Sequence, residues 1–360
     1  MREERKGNFF AVDRPEDGSR DFGESDTRQS YCATPKARNR RFAYVPCGYF
    51  PVCYGGSLRR RTPLSNTHRR KDNIVSTISP VAPLPLGGPI TIGGDLSARR
   101  FGFGAMRITG KGIWGPPSDR AAAIALLRHV VASGVDFIDT ADSYGPDVSE
   151  ELIAEALYPY PAGLIIATKG ALVRTGPGEW PIDARPERLR ACCEASLKRL
   201  KLECIDLYQL HRIDPKVPVE ESLGALVDLQ REGKIKHIGI SQVNVAEYER
   251  CKKTATIVSV QNLYNIVDRS SEDLLVACER DGVAFLPWFP LGGGSGLKHD
   301  AIERVAKAHG VSDLQVAIAW LLARSPMMLP IAGTSSLAHF DENLASTKIA
   351  FTESEFAALS

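Results

Sequence analysis

The sequence predicts an α/β protein built as a (β/α)8 TIM barrel, residues 81–360, preceded by a disordered and basic N-terminal extension, residues 1–80. Three observations carry this expectation. From Pro89 onward, strand-like and helical runs alternate through eight repeats, a pattern that implies a parallel sheet; eight units in roughly 260 residues favour closure into a barrel. Three successive strand-like runs end on Asp139, Lys169 and His211, and chemistry in such barrels comes from the C-terminal ends of several strands. The rival architecture, an open dinucleotide-binding sheet, should carry G-x-G-x-x-G between its first strand and helix. Here Gly102-Phe103-Gly104 is followed by Ala105-Met106-Arg107, so the third glycine is missing. Both glycines fall within the first strand, where small residues suit tight packing at the barrel bottom.

The elements follow in order. Phe101–Met106 is the first strand, and Asp119 caps an Ala/Leu-rich helix that runs to about Ala132, where Ser133-Gly134 stops it. The strand Val135–Ala141 precedes a turn at Ser143-Tyr144-Gly145-Pro146 and a helix over Ser149–Leu157. The strand Leu164–Lys169 leads into a long loop through Trp180 and a helix over Pro186–Leu200, whose proline suits the first turn. Strands are then expected at Ile205–His211, His237–Ser241, Val258–Tyr264, Val283–Phe289 and Met328–Ile331. Helices are expected at Val219–Arg231, Ala246–Lys253, Glu272–Arg280, Ala301–His309, Asp313–Ala323, Leu337–Ser346 and Thr352–Leu359.

Charge separates the extension from the barrel. Residues 1–80 hold sixteen Lys and Arg against nine Asp and Glu, whereas the remainder holds twenty-nine against thirty-four. Scattered aromatic residues among the arginines of the extension could stack on bases, but no motif fixes them, so nucleic acid is not an expected partner. Eight acids among the first 26 residues also argue against an ordinary transit peptide. The eight cysteines form no C-x-x-C pair and no zinc-ligand spacing, so they are expected to be reduced and structural, with no metal site. No run approaches 18 consecutive apolar residues, and no apolar leader opens the chain, so a cytoplasmic protein without a membrane partner is expected.

An acid at a strand end and a phenol five residues later can meet in one pocket, as Asp139 and Tyr144 would. A tyrosine ionises near pH 10, so its use as an acid at neutral pH calls for a neighbouring cation. Lys169 and His211 are placed to serve it. Taken singly, Asp139 reads as a helix cap, Lys169 as a surface charge and His211 as a loop residue; the constellation is far more specific than any member.

At these residues the chain resembles the aldo-keto reductase family over 89–360. The resemblance rests on Gly102-Phe-Gly-Ala-Met106, Asp139-Thr-Ala-Asp-Ser-Tyr-Gly145, Ala167-Thr-Lys169, Ile205-Asp-Leu-Tyr-Gln-Leu-His211, Ile238-Gly-Ile-Ser241, Val260-Gln-Asn-Leu-Tyr-Asn265, Pro287-Trp-Phe-Pro-Leu291 and Gly333-Thr-Ser-Ser336. It implies NADP-dependent reduction of an aldehyde or ketone to an alcohol, with NAD as the other possible cofactor. The family's catalytic tetrad falls on Asp139, Tyr144, Lys169 and His211: Tyr144 as proton donor, its pKa lowered by Lys169, Asp139 holding Lys169, and His211 orienting the carbonyl. Ser241, Gln242 and Gln261 match the carboxamide-binding residues, and Trp288 the aromatic residue that stacks on the nicotinamide. The pyrophosphate and adenosine end is expected along the loop Leu291–Leu297 and at Gly333, Thr334 and Ser335, with His339 and Asn343 beyond. Many NADPH-preferring members place a Lys and an Arg where this chain has the Gly333/Thr334 region and His339. No long substrate loop follows Thr352–Leu359, so the expected substrates are small aldehydes, including aromatic ones such as pyridoxal, and not steroids. The resemblance also extends to nicotinamide-binding sensor subunits of potassium channels, which is the alternative function.

Overall fold

A computed structural model describes residues 87–292 and 299–360. The disordered extension expected over 1–80, and positions 293–297 of the expected pyrophosphate loop, lie outside the described residues. Within them, seven parallel strands neighbour one another in chain order: β3 (Phe103–Gly104), β4 (Phe137–Asp139), β5 (Ile165–Gly170), β6 (Ile205–Leu210), β7 (Ile235–Ser241), β8 (Ile257–Leu263) and β9 (Ala284–Trp288). The helices are α1 (Arg120–Ala132), α2 (Val148–Leu157), α3 (Pro186–Leu200), α4 (Val219–Arg231), α5 (Val245–Cys251), α6 (Glu272–Asp281), α7 (Asp300–His309), α8 (Asp313–Arg324), α9 (Leu337–Ala345) and α10 (Glu353–Leu359). Local signals set their starts. Asp119 accepts the Ala122 amide at 2.8 Å, and Asn244 with Glu247 forms a reciprocal capping box ahead of α5.

The eighth expected strand closes the barrel without becoming a regular ladder. Met328 bridges Phe285 and Ile331 bridges Gly102, both in parallel. Pro330 lies between them and has no amide to donate. The seam is therefore held by Phe285 N to Met327 O at 2.8 Å, Leu329 N to Phe285 O at 2.9 Å and Gly102 N to Pro330 O at 2.9 Å. At the other side of the seam, the first expected strand shrinks to Phe103–Gly104 because its partner β4 ends at Asp139. Ala105–Ile108 then turns as a 3-10 helix.

One element was not anticipated. An antiparallel hairpin of β1 (Pro89–Ile92) and β2 (Leu96–Arg99) precedes the barrel. Alternation along it turns Ile90, Ile92, Leu96 and Ala98 inward. They join one apolar cluster with Phe137, Ile165, Leu207 and Ala284, which stand near the starts of their strands, so the hairpin plugs the barrel's N-terminal end. Outside the barrel wall, a larger cluster unites strand residues such as Ile238, Ile240 and Phe285 with Leu223, Leu226 and Leu229 of α4 and Trp320 of α8. Each such fully buried aliphatic side chain contributes about 1.5–3 kcal/mol relative to exposure. Among the described residues, no helix is long and apolar enough to cross a membrane, and the five described cysteines are free thiols.

Gly104 pairs with Asp139, which puts it at the C-terminal end of the barrel and not at the bottom. The tight packing expected of it is real: a Cβ there would lie 2.7 Å from the Ile331 carbonyl oxygen. Gly224, inside α4, has nothing within 4 Å of an added Cβ. Gly104→Ala should thus cost about 1–3 kcal/mol through backbone overpacking, while Gly224→Ala should gain about 0.5–1 kcal/mol from helix propensity. Urea unfolding midpoints moving in opposite directions would verify both; a stable Gly104→Ala protein would mean that the seam yields.

Candidate active site

The C-terminal ends of β4, β5 and β6 bring Asp139, Lys169 and His211 together. In-register pairing sets Gly104 beside Asp139 and Lys169 beside Gln209, while His211 follows β6 directly and its backbone amide bonds Gly170 O at 2.9 Å. Tyr144 arrives from the loop between β4 and α2. All four side chains are buried, Lys169 completely.

Lys169 is the hub. Its Nζ donates to Asp139 Oδ2 at 2.6 Å, to Thr140 O at 2.8 Å and to Tyr144 Oη at 3.3 Å. The second carboxylate oxygen of Asp139 accepts Gln209 Nε2 at 3.1 Å and Gln261 Nε2 at 2.9 Å. The rings of Tyr144 and His211 meet edge to face, with centroids 5.9 Å apart, and His211 Nδ1 is buried without a partner.

Electrostatics differ between the four. Burial opposes the Lys169 ammonium, but the charges and hydrogen bonds of Asp139 and Tyr144 outweigh it and raise its pKa. Burial also dominates at Tyr144, raising its pKa even though Lys169 pulls the other way. This corrects the expectation of a lowered phenol: the lysine limits a rise that burial imposes. Burial, then Lys169 and Arg212, hold the His211 pKa well below the ordinary histidine value, so the imidazole is neutral at neutral pH. The site thus sets the Lys169–Asp139 ion pair beside a neutral phenol and a neutral imidazole.

The residues expected at the nicotinamide line neighbouring strand ends. Ser241 pairs with Gln261 across β7 and β8. Gln242 adopts a left-handed backbone, φ 55°, and its Oε1 accepts the Trp288 indole N–H at 2.9 Å. Gln261 donates its amide nitrogen to Asp139. Farther round, Leu291 packs on the apolar cluster that contains Phe340 of α9. Gly333 lies so close to Gly104 O that a Cβ would sit 2.3 Å from it. Thr334 Oγ1 accepts the Ser336 amide at 3.1 Å, and Ser336 caps α9 by accepting the His339 amide. Ser335 and His339 border solvent, whereas Asn343 is buried.

Two neighbours escaped the sequence reading. Gln209 interrupts the apolar run Leu207-Tyr208-Gln209-Leu210 in the second half of β6, and that break in pattern was the available signal. Arg212 follows His211 and donates to His211 O at 2.7 Å and Ser241 Oγ at 3.1 Å; only its adjacency to a strand-end histidine could have marked it. Among the described residues, no cluster of His, Cys, Asp and Glu could hold a metal ion.

Comparison with known proteins gives a consistent result. The pattern of the Aldo/keto reductase family matches residues 100–360. An uncharacterised oxidoreductase of Schizosaccharomyces pombe is 49% identical over 267 residues, 74% of this chain and 87% of that protein. Pyridoxine 4-dehydrogenase of Escherichia coli is 41% identical over 272 residues, 74% of this chain and 95% of that protein. Among solved structures, a thermostable aldo-keto reductase in complex with the inhibitor epalrestat superposes with a TM-score of 0.68 at 32% identity, covering 76% of this chain and 98% of that one. An aldo-keto reductase from Klebsiella pneumoniae in complex with NADPH gives 0.65 at 26% identity, covering 75% and 93%.

The geometry makes Lys169 a test of the network. Lys169→Met leaves a buried Asp139 with two amide donors and no cation, which should cost about 3–5 kcal/mol. Adding Asp139→Leu should recover much of that loss, because a buried ion pair replaced by apolar groups is often neutral in stability. Denaturant titration of the single and double variants measures the difference; equal losses would show that the pair is uncoupled.

Proposed function

The chain belongs to the aldo/keto reductase family, and on that premise we propose that it reduces small aldehydes to alcohols with NADPH, pyridoxal-type aromatic aldehydes among them. The observation that carries the reading is the Lys169 ammonium, bonded at once to Asp139 and to the Tyr144 hydroxyl beside a neutral His211. Similarity to pyridoxine 4-dehydrogenase over nearly all of that protein's length supports the substrate class, and the NADPH complex of the Klebsiella relative supports the cofactor.

The donor set fits a nicotinamide nucleotide: a hydroxyl, two side-chain amides and a flat indole stand on adjacent strand ends. Ser241, Gln242, Gln261 and Trp288 would hold the ring end, and Leu291, Gly333, Thr334, Ser335, His339 and Asn343 the nucleotide end. When bound, the reduced cofactor supplies the hydride. The chain's own residues handle the proton. Tyr144 enters as a neutral phenol, because burial keeps its proton on, and can therefore donate to the substrate oxygen. Lys169 stabilises the phenolate left behind, and Asp139 keeps that ammonium charged and in place. His211, uncharged, orients the carbonyl oxygen by a hydrogen bond. These donors are fixed before charge develops, so no solvent reorganisation is needed at the reacting atoms. A cytoplasmic location is part of the same reading.

Tyr144→Phe tests the assignment, since it removes the donor and keeps the ring. Aldehyde-dependent NADPH oxidation should fall about 10²–10⁴-fold while NADPH still quenches protein fluorescence. Near-normal turnover would sink the role of Tyr144, and tight cofactor binding with no aldehyde turned over by the native protein would favour the sensor-subunit alternative. A second prediction concerns the nucleotide end: His339→Arg should raise NADPH affinity relative to NADH by about tenfold, the worth of one charge-assisted hydrogen bond to a phosphate. An unchanged ratio in paired titrations would remove His339 from the site.

A further inference from the structure

After β5 the chain bends at Ala171, φ 107°, and the following loop doubles back on itself. Leu172 bridges Ile182 in antiparallel fashion, Val173 N bonds Pro181 O at 2.8 Å, and Asp183 N bonds Ala171 O at 2.8 Å. Arg174 and Trp180 stand at the tip of this small ribbon. The guanidinium stacks on Trp180, 3.6 Å from the ring centroid, with Trp114 at 5.4 Å on another loop. Its nitrogens reach five backbone carbonyls. Two belong to its own loop, Glu179 at 3.0 Å and Gly176 at 3.4 Å. Two belong to the loop after β3, Ile113 at 2.7 Å and Gly112 at 3.3 Å. The fifth is Ser143 O at 3.0 Å, the carbonyl that precedes Tyr144.

Two further facts give this contact a purpose beyond holding its own loop. Ile113 has φ 57°, a left-handed backbone that a β-branched residue adopts only when its surroundings force it. Arg174 grips that residue's carbonyl. Next to it, Gly115 N donates to Gly145 O at 2.5 Å, and Trp114 pairs with Gly145 as an isolated bridge. The carbonyls on both sides of Tyr144 are thus tied to the loop after β3, one directly and one through the guanidinium. Only a planar fork with five donors can serve so many carbonyls while stacking on indole; a lysine cannot.

We propose that Arg174 is a positioning and specificity-determining residue of the substrate mouth, one guanidinium that locks the loops after β3, β4 and β5 into a single rim. Through Ser143 it fixes where the Tyr144 hydroxyl points. Through Ile113 and Trp114 it keeps one wall of the mouth upright, which limits the size of aldehyde admitted. This rests on the reductase reading above and adds to it the residue that sets aperture.

The experiment compares native protein, Arg174→Ala and Arg174→Lys with propanal and with a bulky bicyclic aromatic aldehyde, alongside acrylamide quenching of tryptophan fluorescence. For Arg174→Ala, kcat on propanal should drop about 10–100-fold, the effect of a displaced reacting group, with the KM for NADPH unchanged. The preference for propanal over the bulky aldehyde should fall about tenfold. Millimolar methylguanidine should restore part of the lost kcat in Arg174→Ala. Arg174→Lys, which retains charge but not the fork, should behave like the alanine variant, and it carries the test if Arg174→Ala does not fold. Native kcat and native size preference in these variants would overturn the proposal. If the native protein turns over no aldehyde, the reductase reading fails by itself; quenching then decides the rim, with increased accessibility in the variants supporting it and unchanged accessibility overturning it.

Discussion

A lysine ammonium with no exposure to solvent is the constraint around which this barrel is arranged. Such a charge is tolerated only if it is paired and its hydrogen bonds are filled. Lys169 on β5 takes Asp139 from β4. Asp139 in turn needs donors for its other oxygen and finds them on Gln209 of β6 and Gln261 of β8. Strands far apart in sequence are therefore tied to one carboxylate. A hydrophobic replacement of similar volume could give equal or better stability, so the ion pair is explained by the site it builds and not by the stability it confers. The chemistry and the strand order share the same few atoms.

Much of this was legible in the sequence because the informative positions were strand ends. Asp139, Lys169 and His211 each close an apolar run, and parallel topology sends such positions to one face. What was not legible has physical causes. The hairpin of β1 and β2 has strands of four residues, too short to show a period. The seam at Pro330 cannot form a ladder, so a strand expected from its apolar run survives as two bridges. Gln261 points to Asp139 because the carboxylate's unmet oxygen lies on that side, and no one-dimensional pattern reports such a need. Arg174 falls in a long loop without pattern, and the cross-loop contacts it makes carry no periodic signal.

The Tyr144 phenol shows why a list of neighbours does not give an acidity. A cation 3.3 Å away suggests a depressed pKa, but the same burial that strengthens the cation's pull withdraws the water that would solvate the phenolate. Burial wins in the protein without substrate. The lysine's contribution is better described as making the phenolate tolerable at the moment of transfer than as ionising the phenol beforehand. His211 follows the same rule with the opposite charge type, and the outcome is a site in which neither the phenol nor the imidazole is charged near neutrality.

The proline-interrupted seam also bears on how the chain reaches its native state. Gly102 and Ile331 stand at opposite ends of the barrel sequence, so their pairing closes the longest loop in the sheet and returns only isolated hydrogen bonds for the entropy lost. The sheet from β3 to β9 can assemble by neighbour pairing, each strand next to the one before it. The circle then shuts last, and amides along the seam should be the first of the sheet to exchange with solvent.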